Sequence, residues 1–134
     1  MTHWANEYMG ITWSNGGNSK QEGFDCWNLV RTIQREQFGI DVPVIDVDAY
    51  KIKDCVVAFS THGELKNWDK VEVPQEGDCV LMSQNKRPTH IGVWLDEQGG
   101  GIIHSVQGVG VIFTTESHIQ SMNYNVLGYY RYAG

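Results

Sequence analysis

Hydrophobic residues recur with helical spacing after Gly23, and this stretch is the best defined in the sequence. In GFDCWNLVRTIQREQFG, Gly23–Gly39, four apolar side chains follow the i, i+3, i+4, i+7 pattern of a single helix face. Charged residues fall on the opposite side, as expected for an amphipathic helix with one face in the core. The apolar positions are Cys26, Leu29, Val30 and Ile33, and the charged ones are Arg31, Arg35 and Glu36.

Both ends of this predicted helix carry residues that favour helix termini. Asp25 is suited to the N-cap, because its carboxylate can accept from the unpaired N–H groups of the first turn. Gly39 is suited to ending the helix. Cys26 is then the first helical residue, where the positive end of the helix dipole favours thiolate over thiol. This position suits a nucleophile; the alternative is a buried structural cysteine, because free cysteines are among the most buried residues.

Two later segments alternate as β-strands do, and each contains a histidine. HIGVWL, His90–Leu95, and GIIHSV, Gly101–Val106, are joined by the glycine-rich stretch DEQGGG, which predicts a hairpin. Alternation places Ile91, Val93 and Leu95 on the core face and His90, Gly92 and Trp94 on the opposite, polar face, where the glycine leaves room for a partner. His104 lies in the second strand, and its alternative role is packing beneath Trp94 or Val106.

The remaining apolar runs complete a predicted antiparallel sheet. DCVLM, residues 78–82, precedes the two histidine strands, and QGVGVIFTT, residues 107–115, and LGYYRY, residues 127–132, follow them. Alternation puts Cys79 and Leu81 on one face of their strand and Val80 and Met82 on the other, so Cys79 is predicted to be structural. The pattern predicts an α+β fold in which N-terminal helices pack on a meander of about five strands.

Shorter segments are less informative. THWANEYM, Thr2–Met9, predicts a short helix capped by Thr2. DAYKIKDCVVAF, residues 48–59, has apolar residues near helical spacing and predicts a second helix with Cys55 on its packing face. His62 is expected in a polar loop, and NKRPT, residues 85–89, is expected to form a loop that leads to His90.

Length and composition describe one soluble globular domain over residues 1–134. Charged residues make up 19% and hydrophobic residues 41% of the chain. A formal net charge of −6 argues against a nucleic-acid surface. No apolar run approaches the roughly 20 residues of a membrane span. The start of the chain lacks the apolar region of a signal peptide, so cytoplasmic synthesis is expected.

The cysteine count argues against a cysteine-based framework. Three cysteines, Cys26, Cys55 and Cys79, give an odd number without a CxxC pair. Neither a disulfide scaffold nor a zinc ribbon is indicated, and no cofactor or metal is expected. A mixed cysteine–histidine zinc site assembled from distant residues is the alternative. A cysteine at a helix start with two histidines on adjacent strands instead matches the arrangement that a thiol hydrolase requires.

The order of these motifs resembles one known family. DCWNLV, GDCVLM, HIGVWL and IIHS, in this sequence, resemble the NlpC-type cell-wall cysteine peptidases over about residues 13–132. DCW-x-LVR followed by REQFGI, with the closing GYYRY, is more similar to bacteriophage tail members than to secreted bacterial enzymes. The resemblance implies a papain-like fold, hydrolysis of amide bonds in peptidoglycan stem peptides and association with other tail proteins. Such a chain would reach the wall through virion assembly, lysis or fusion to a larger protein.

Residue by residue, the layout and the resemblance assign Cys26 as nucleophile, His90 as general base and acid, and His104 as the residue that orients His90. Trp13, followed by Gly16 and Gly17, matches a loop that forms one wall of the family's cleft, although the family usually has a hydroxyl-bearing Tyr there. A core aromatic is the alternative for Trp13.

The resemblance also suggests substrate contacts beside the nucleophile. In members that bind a free amino terminus, an Asp and a Ser flank the cysteine; this chain keeps Asp25 but has Trp27 in place of the Ser. A different cut site in the stem peptide therefore remains open. The competing functions are an amidase or thioesterase on the same fold and a non-catalytic tail-assembly protein.

Overall fold

A computed structural model describes residues 3–42, 68–84 and 87–133. The predicted second helix, with Cys55, lies outside the described residues, as do His62 and Thr2.

In the described residues, the α-helix precedes the strands of the main sheet along the chain. A 3₁₀ helix, Trp4–Glu7, is followed by two short strands, β1 (Asn18–Ser19) and β2 (Gly23–Phe24), and by the helix α1 (Cys26–Phe38). The main sheet then contains β3 (Trp68–Val71), β4 (Cys79–Gln84), β5 (Arg87–Leu95), β6 (Gly101–Val106), β7 (Gly110–Thr115) and β8 (Tyr124–Tyr132). Two further 3₁₀ helices, Glu97–Gly99 and Glu116–Met122, connect β5 to β6 and β7 to β8.

The helix α1 has the termini that the sequence predicts. Its N-cap is Asp25, whose carboxylate accepts from the backbone N–H of Asn28 at 2.7 Å. Its C-cap is Gly39, in the left-handed conformation with φ 68°. The predicted apolar face is confirmed: Cys26, Leu29, Val30 and Ile33 are buried.

The N-terminal helix is shorter than predicted. It is a single 3₁₀ segment, Trp4–Glu7, and its cap is His3, whose Nδ1 accepts from the N–H of Ala5 at 3.0 Å. The chain turns away at Gly10, which has φ +83° and donates its N–H to the carbonyl of Val111. This long-range bond to β7 ends the helix before Met9, so the predicted extent was wrong.

The main sheet has six antiparallel strands in the order β3-β8-β4-β5-β6-β7. The predicted α+β class, with an antiparallel sheet of about five strands, is confirmed, but the strand order is not the predicted meander. β8 returns to lie between β3 and β4, and β3 adds an edge strand in which Trp68 pairs with Tyr132. The predicted hairpin between the two histidine strands is present, with Leu95 opposite Gly101.

Both faces of the sheet are covered by apolar side chains. The predicted alternation in β4 and β5 is confirmed, because Cys79, Leu81, Ile91, Val93 and Leu95 belong to the cluster that includes the α1 face. The opposite face is not polar as predicted; it forms a second apolar cluster, made of Val80, Met82, Trp94, Ile102, Ile119 and Tyr124.

The 3₁₀ helix Glu116–Met122 supplies part of the second cluster through Ile119, and β8 supplies Tyr124. As a result, the histidines of β5 and β6 are enclosed rather than displayed on an open surface. Within the described residues, no helix combines the length and apolar character needed to span a membrane.

Candidate active site

The site begins at the N-terminus of α1, where Asp25 fixes the helix start. Its carboxylate accepts from the backbone N–H of Asn28, from the side-chain amide of Asn28 at 3.3 Å and from the N–H of Gly16 at 3.1 Å. Burial raises the pKa of Asp25, and the hydrogen bonds from Asn28 and Gly16 oppose that rise. Asp25 therefore joins the glycine loop to the helix, and its oxygens are engaged within the protein.

Cys26 follows as the first residue of α1 and is 6% exposed. A thiol at this position lies at the positive end of the helix dipole, which stabilises the thiolate. The pKa of Tyr124 is raised, first by burial and then by the charge of Cys26. Cys26 and Tyr124 are therefore within electrostatic range of each other.

His90 and His104 form a direct pair. His90 Nε2 and His104 Nδ1 are 2.7 Å apart, and the ring centroids are 5.0 Å apart with the planes at 66°. The two side chains are 6% and 0% exposed. The structure thus brings together the two histidines that the sequence placed on neighbouring strands.

Gly92 makes this pair possible. A Cβ at Gly92 would lie 3.1 Å from the Cβ of His104 and 2.8 Å from the carbonyl oxygen of Ile103. Any larger residue would displace β6 or the His104 side chain. The glycine beside His90 accordingly provides the room that the sequence pattern indicated.

Enclosure keeps both imidazoles neutral. Burial, followed by the neighbouring His104, lowers the pKa of His90 well below its ordinary value of 6.5. Burial lowers the pKa of His104 to about 4. Each ring then carries one N–H donor and one lone pair at neutral pH, so the pair can be joined by only one N–H.

Tyr124 covers both rings and is a residue that the sequence reasoning missed. Its ring stacks on His90 with centroids 4.8 Å apart and planes at 19°, and it meets His104 edge-on at 5.8 Å and 77°. Tyr124 is thus an aromatic neighbour that the two histidines share. The preceding residue, Asn123, has φ 66° and indicates a turn before β8. The local sequence does not indicate which strands β8 will pair with.

A second missed contact lies behind His104. His104 Nε2 is 2.9 Å from Thr114 Oγ1 in β7, and Thr114 Oγ1 donates to Met122 Sδ at 3.3 Å. Both ring nitrogens of His104 are therefore engaged. The only available signal was alternation, which puts Thr114 and Ile112 on one face of β7.

The second nitrogen of His90 has a different environment. Of the two ring nitrogens of His90, the hydrogen bond to His104 uses Nε2. Nδ1 is the nitrogen that remains available to a thiol, because Nε2 is engaged by His104.

The two tryptophans that were predicted to contact substrate differ in burial and packing. Trp13 is half-buried and forms an isolated bridge with Phe24. Trp27 is 4% exposed and packs in the α1 cluster. No group of three or more histidine, cysteine or acidic side chains suited to a metal occurs among residues 3–42, 68–84 and 87–133.

Comparison with known proteins identifies the family. Residues 10–130 match the sequence model of the NlpC/P60 family. The fold resembles the crystal structure of a protein described as similar to lipoprotein, of the NLP/P60 family, from Staphylococcus aureus subsp. aureus Mu50, with a TM-score of 0.58 and 20% identity. That match covers 97% of this chain and 39% of the other, so this chain spans well under half of that protein's length. Among curated proteins, none matches the sequence.

Proposed function

This chain belongs to the NlpC/P60 family, and from that premise we propose that it is a cysteine peptidase that cleaves an amide bond in peptidoglycan stem peptides. The family is one of cysteine peptidases and cell-wall hydrolases. The observation that supports the proposal best is the His90–His104 pair, at 2.7 Å, enclosed with Tyr124, whose pKa is raised in part by Cys26 at the start of α1. A base with a fixed partner, next to a thiol at a helix N-terminus, is what acyl transfer to cysteine requires.

In the first half-reaction, His90 Nδ1 takes the proton from Cys26 Sγ. The thiolate attacks the carbonyl carbon of the amide, and the electron pair of the C=O bond moves to oxygen. Collapse of this tetrahedral intermediate breaks the C–N bond, and His90 gives its proton to the departing amine. The acyl group is then held as a thioester on Cys26.

In the second half-reaction, His90 removes a proton from water as the water oxygen attacks the thioester carbonyl. Collapse of the second intermediate breaks the C–S bond, releases the carboxyl product and returns the proton to the thiolate of Cys26. The backbone N–H of Cys26 is the proposed donor to the oxyanion, because first-turn amides point out of the helix end.

His104 acts in this scheme by orienting His90. It engages Nε2 of His90, which turns Nδ1 toward the thiol, and it carries no negative charge that would stabilise an imidazolium. Burial lowers the pKa of His90, so its imidazole is neutral before it takes the proton, and the helix N-terminus supports the thiolate once it forms.

Substrate contacts are proposed for the loop rather than for the helix. Trp13 is the proposed wall of the cleft, with Asp25 acting through the shape it imposes on the loop at Gly16. Association with a phage tail, and delivery to the wall through a virion, are proposals that rest on the DCW-x-LVR, REQFGI and GYYRY resemblance.

Digestion of purified sacculi tests the proposal directly. We expect soluble fragments whose masses, by mass spectrometry, show new amino and carboxyl ends within the stem peptide. Cys26→Ala should release none, and the matched variant Cys79→Ala, which alters a buried thiol on β4, should release wild-type amounts per folded molecule.

Three outcomes contradict the proposal. Fragments cut between sugar and peptide would indicate an amidase. Activity lost to EDTA and restored by zinc would indicate a metallohydrolase. No release from any sacculus type by the folded wild-type protein, while Cys26 still reacts with alkylating reagents, would favour a thioesterase or a tail-assembly protein.

A further inference from the structure

Thr114 stands at the end of the chain of hydrogen bonds that runs from His90 through His104. The chain consists of His90 Nε2 to His104 Nδ1 at 2.7 Å, then His104 Nε2 to Thr114 Oγ1 at 2.9 Å. Thr114 is buried, and its hydroxyl also contacts Met122 Sδ at 3.3 Å. His90 Nε2 and both ring nitrogens of His104 therefore take part in these hydrogen bonds.

With both rings neutral, such a chain has only two arrangements of its protons. In the first, Thr114 accepts from His104 Nε2–H, His104 Nδ1 accepts from His90 Nε2–H, and His90 Nδ1 presents a lone pair. In the second, every donor and acceptor is reversed, and His90 Nδ1 carries a proton. Only the first arrangement leaves His90 able to remove a proton from a thiol or from water at Nδ1.

The partner of Thr114 distinguishes the two arrangements. A thioether sulfur has no proton, so in the contact with Met122 the hydroxyl of Thr114 must be the donor. A hydroxyl has a single proton, and once it is given to Met122 the oxygen can only accept from His104. The sulfur of Met122 thus favours the arrangement with a basic His90 Nδ1.

We propose that Thr114, held in orientation by Met122, is a positioning residue that selects the His90 tautomer with an unprotonated Nδ1. Both residues act through His104 and touch neither substrate nor thiol. Their catalytic consequence rests on the proposed function of Cys26 and His90, whereas the tautomer itself is a property of the folded protein. The pairing of β6 with β7 is consistent with the His104–Thr114 contact. Thr114 lies opposite Ile102, so it is diagonal to His104 on the same face of the sheet.

The test measures the histidine tautomers by ¹⁵N NMR at neutral pH, together with kcat and KM on the amide substrate. Thr114→Val keeps the shape of the side chain but can neither accept nor donate. We expect it to move the His104 proton from Nε2 to Nδ1 and to lower kcat roughly 10- to 100-fold with little change in KM, because a wrong tautomer disables the base. Thr114→Ser, which keeps the hydroxyl, should retain the wild-type tautomer and most of kcat.

Two further variants complete the set. Met122→Leu removes the acceptor for the hydroxyl proton and should shift the tautomer populations partway, with a smaller loss of kcat. Thr115→Val is the matched control, since the Thr115 hydroxyl contacts Ser117 and His118 on the exposed side of the same segment. It should leave both readouts unchanged.

The proposal is overturned if Thr114→Val keeps the wild-type ¹⁵N pattern, or if Thr114→Ser loses as much kcat as Thr114→Val. If Thr114→Val does not fold, an unchanged ¹⁵N pattern in Met122→Leu overturns it instead. A wild-type protein that shows the predicted tautomer but cleaves no stem peptide would refute the proposed function and leave this assignment intact.

Discussion

Ser105 Oγ donates a 2.7 Å hydrogen bond to the backbone carbonyl of Phe24. Ser105 follows His104 in β6, and Phe24 is two residues before Cys26, so this bond joins the strand of the orienting histidine to the turn that begins α1. Ser105 is fully buried, and residues 24 and 105 are 81 positions apart in the chain. This long-range hydrogen bond therefore holds the start of α1 against the strand that carries His104.

Removing this bond should affect stability and turnover together. Ser105→Ala leaves the Phe24 carbonyl without its partner, which we expect to lower the free energy of unfolding by about 1–3 kcal/mol. Because the helix start is no longer held against β6, kcat should also fall per folded molecule. Ser121→Ala is the control: Ser121 Oγ also donates to a carbonyl at 2.7 Å, but in an exposed position. Denaturant titration gives the free energy of unfolding of both variants, and kinetic assays give their kcat. Equal losses in Ser105→Ala and Ser121→Ala would contradict this role for the Ser105 hydrogen bond.

The reactivity of Cys26 should exceed that of Cys79. Both cysteines belong to the apolar cluster of the α1 side, but Cys26 is 6% exposed at a helix N-terminus, whereas Cys79 is 1% exposed within a strand. Iodoacetamide near neutral pH should therefore modify Cys26 first in the folded protein. Peptide mapping by mass spectrometry measures the order, with labelling in denaturant as the reference. Faster modification of Cys79 would remove the support for Cys26 as the nucleophile.

The local sequence pattern was sufficient to predict those parts of the site that lie within a single helix or a single hairpin. The helical spacing after Asp25, the cap itself and the stop at Gly39 are all encoded within 15 residues, and the structure has them as predicted. The same holds for the alternation that placed His90 and His104 on adjacent strands, since a short glycine-rich turn connects those strands.

The parts that the sequence did not predict depend on contacts between distant segments. The insertion of β8 between β3 and β4 sets which residues cover the histidines, and no local signal encodes that choice of neighbours. Alternation marks two faces of β5 but does not show that both will be buried. Tyr124 and Thr114 were missed for this reason, because each reaches the histidines only through the order of the strands.

Acid should destabilise the protein below the ordinary pKa of histidine. His104 has a pKa of about 4 in the folded protein and about 6.5 when unfolded. The unfolded state thus binds more protons between these values, so stability is complete above about 6.5 and is lost as the pH falls toward 4. The loss from His104 alone is about 3 kcal/mol at most, and the lowered pKa of His90 acts in the same direction.

Denaturant titrations at several pH values between 7.5 and 4.5 measure this dependence. The raised pKa of Asp25 acts in the opposite direction, because the folded state binds this proton first as the pH falls toward the unfolded value of 3.8. His104→Gln removes one titrating ring and should flatten the acid slope. A wild-type stability that stays constant down to pH 5 would show that the histidines are not held neutral.

The stack of Tyr124 on His90 should contribute to turnover through the ring and not through the hydroxyl. Tyr124→Phe keeps the stacked geometry and should retain most of kcat/KM. Tyr124→Leu loses it, and kcat should fall by up to roughly tenfold, since aromatic pairs contribute about 0.5–1.5 kcal/mol beyond burial. Tyr129→Leu is the control. Tyr129 lies in the same strand as Tyr124, but its ring pairs edge-on with Trp94 and not with the histidines. A loss in Tyr124→Phe equal to that in Tyr124→Leu would assign the effect to the hydroxyl.

His104 should be replaceable by a residue that offers an acceptor to His90. In the proposed arrangement His104 Nδ1 accepts from His90 Nε2–H, and an amide oxygen in the same place can do so. His104→Gln or His104→Asn should therefore keep more activity than His104→Ala, by about an order of magnitude, because one buried hydrogen bond and the tautomer both depend on that acceptor. His90→Gln should be nearly inactive, since His90 must carry the proton in both directions.

Stability must be measured beside activity, because His104 is fully buried and its loss also leaves Thr114 without a partner on that side. If His104 serves only to pack the sheet, the alanine, asparagine and glutamine variants should differ in melting temperature and keep wild-type turnover per folded molecule. If it orients His90, turnover corrected for the folded fraction should follow the acceptor: high for glutamine or asparagine and low for alanine. Wild-type turnover in His104→Ala after that correction would remove His104 from the proposed triad.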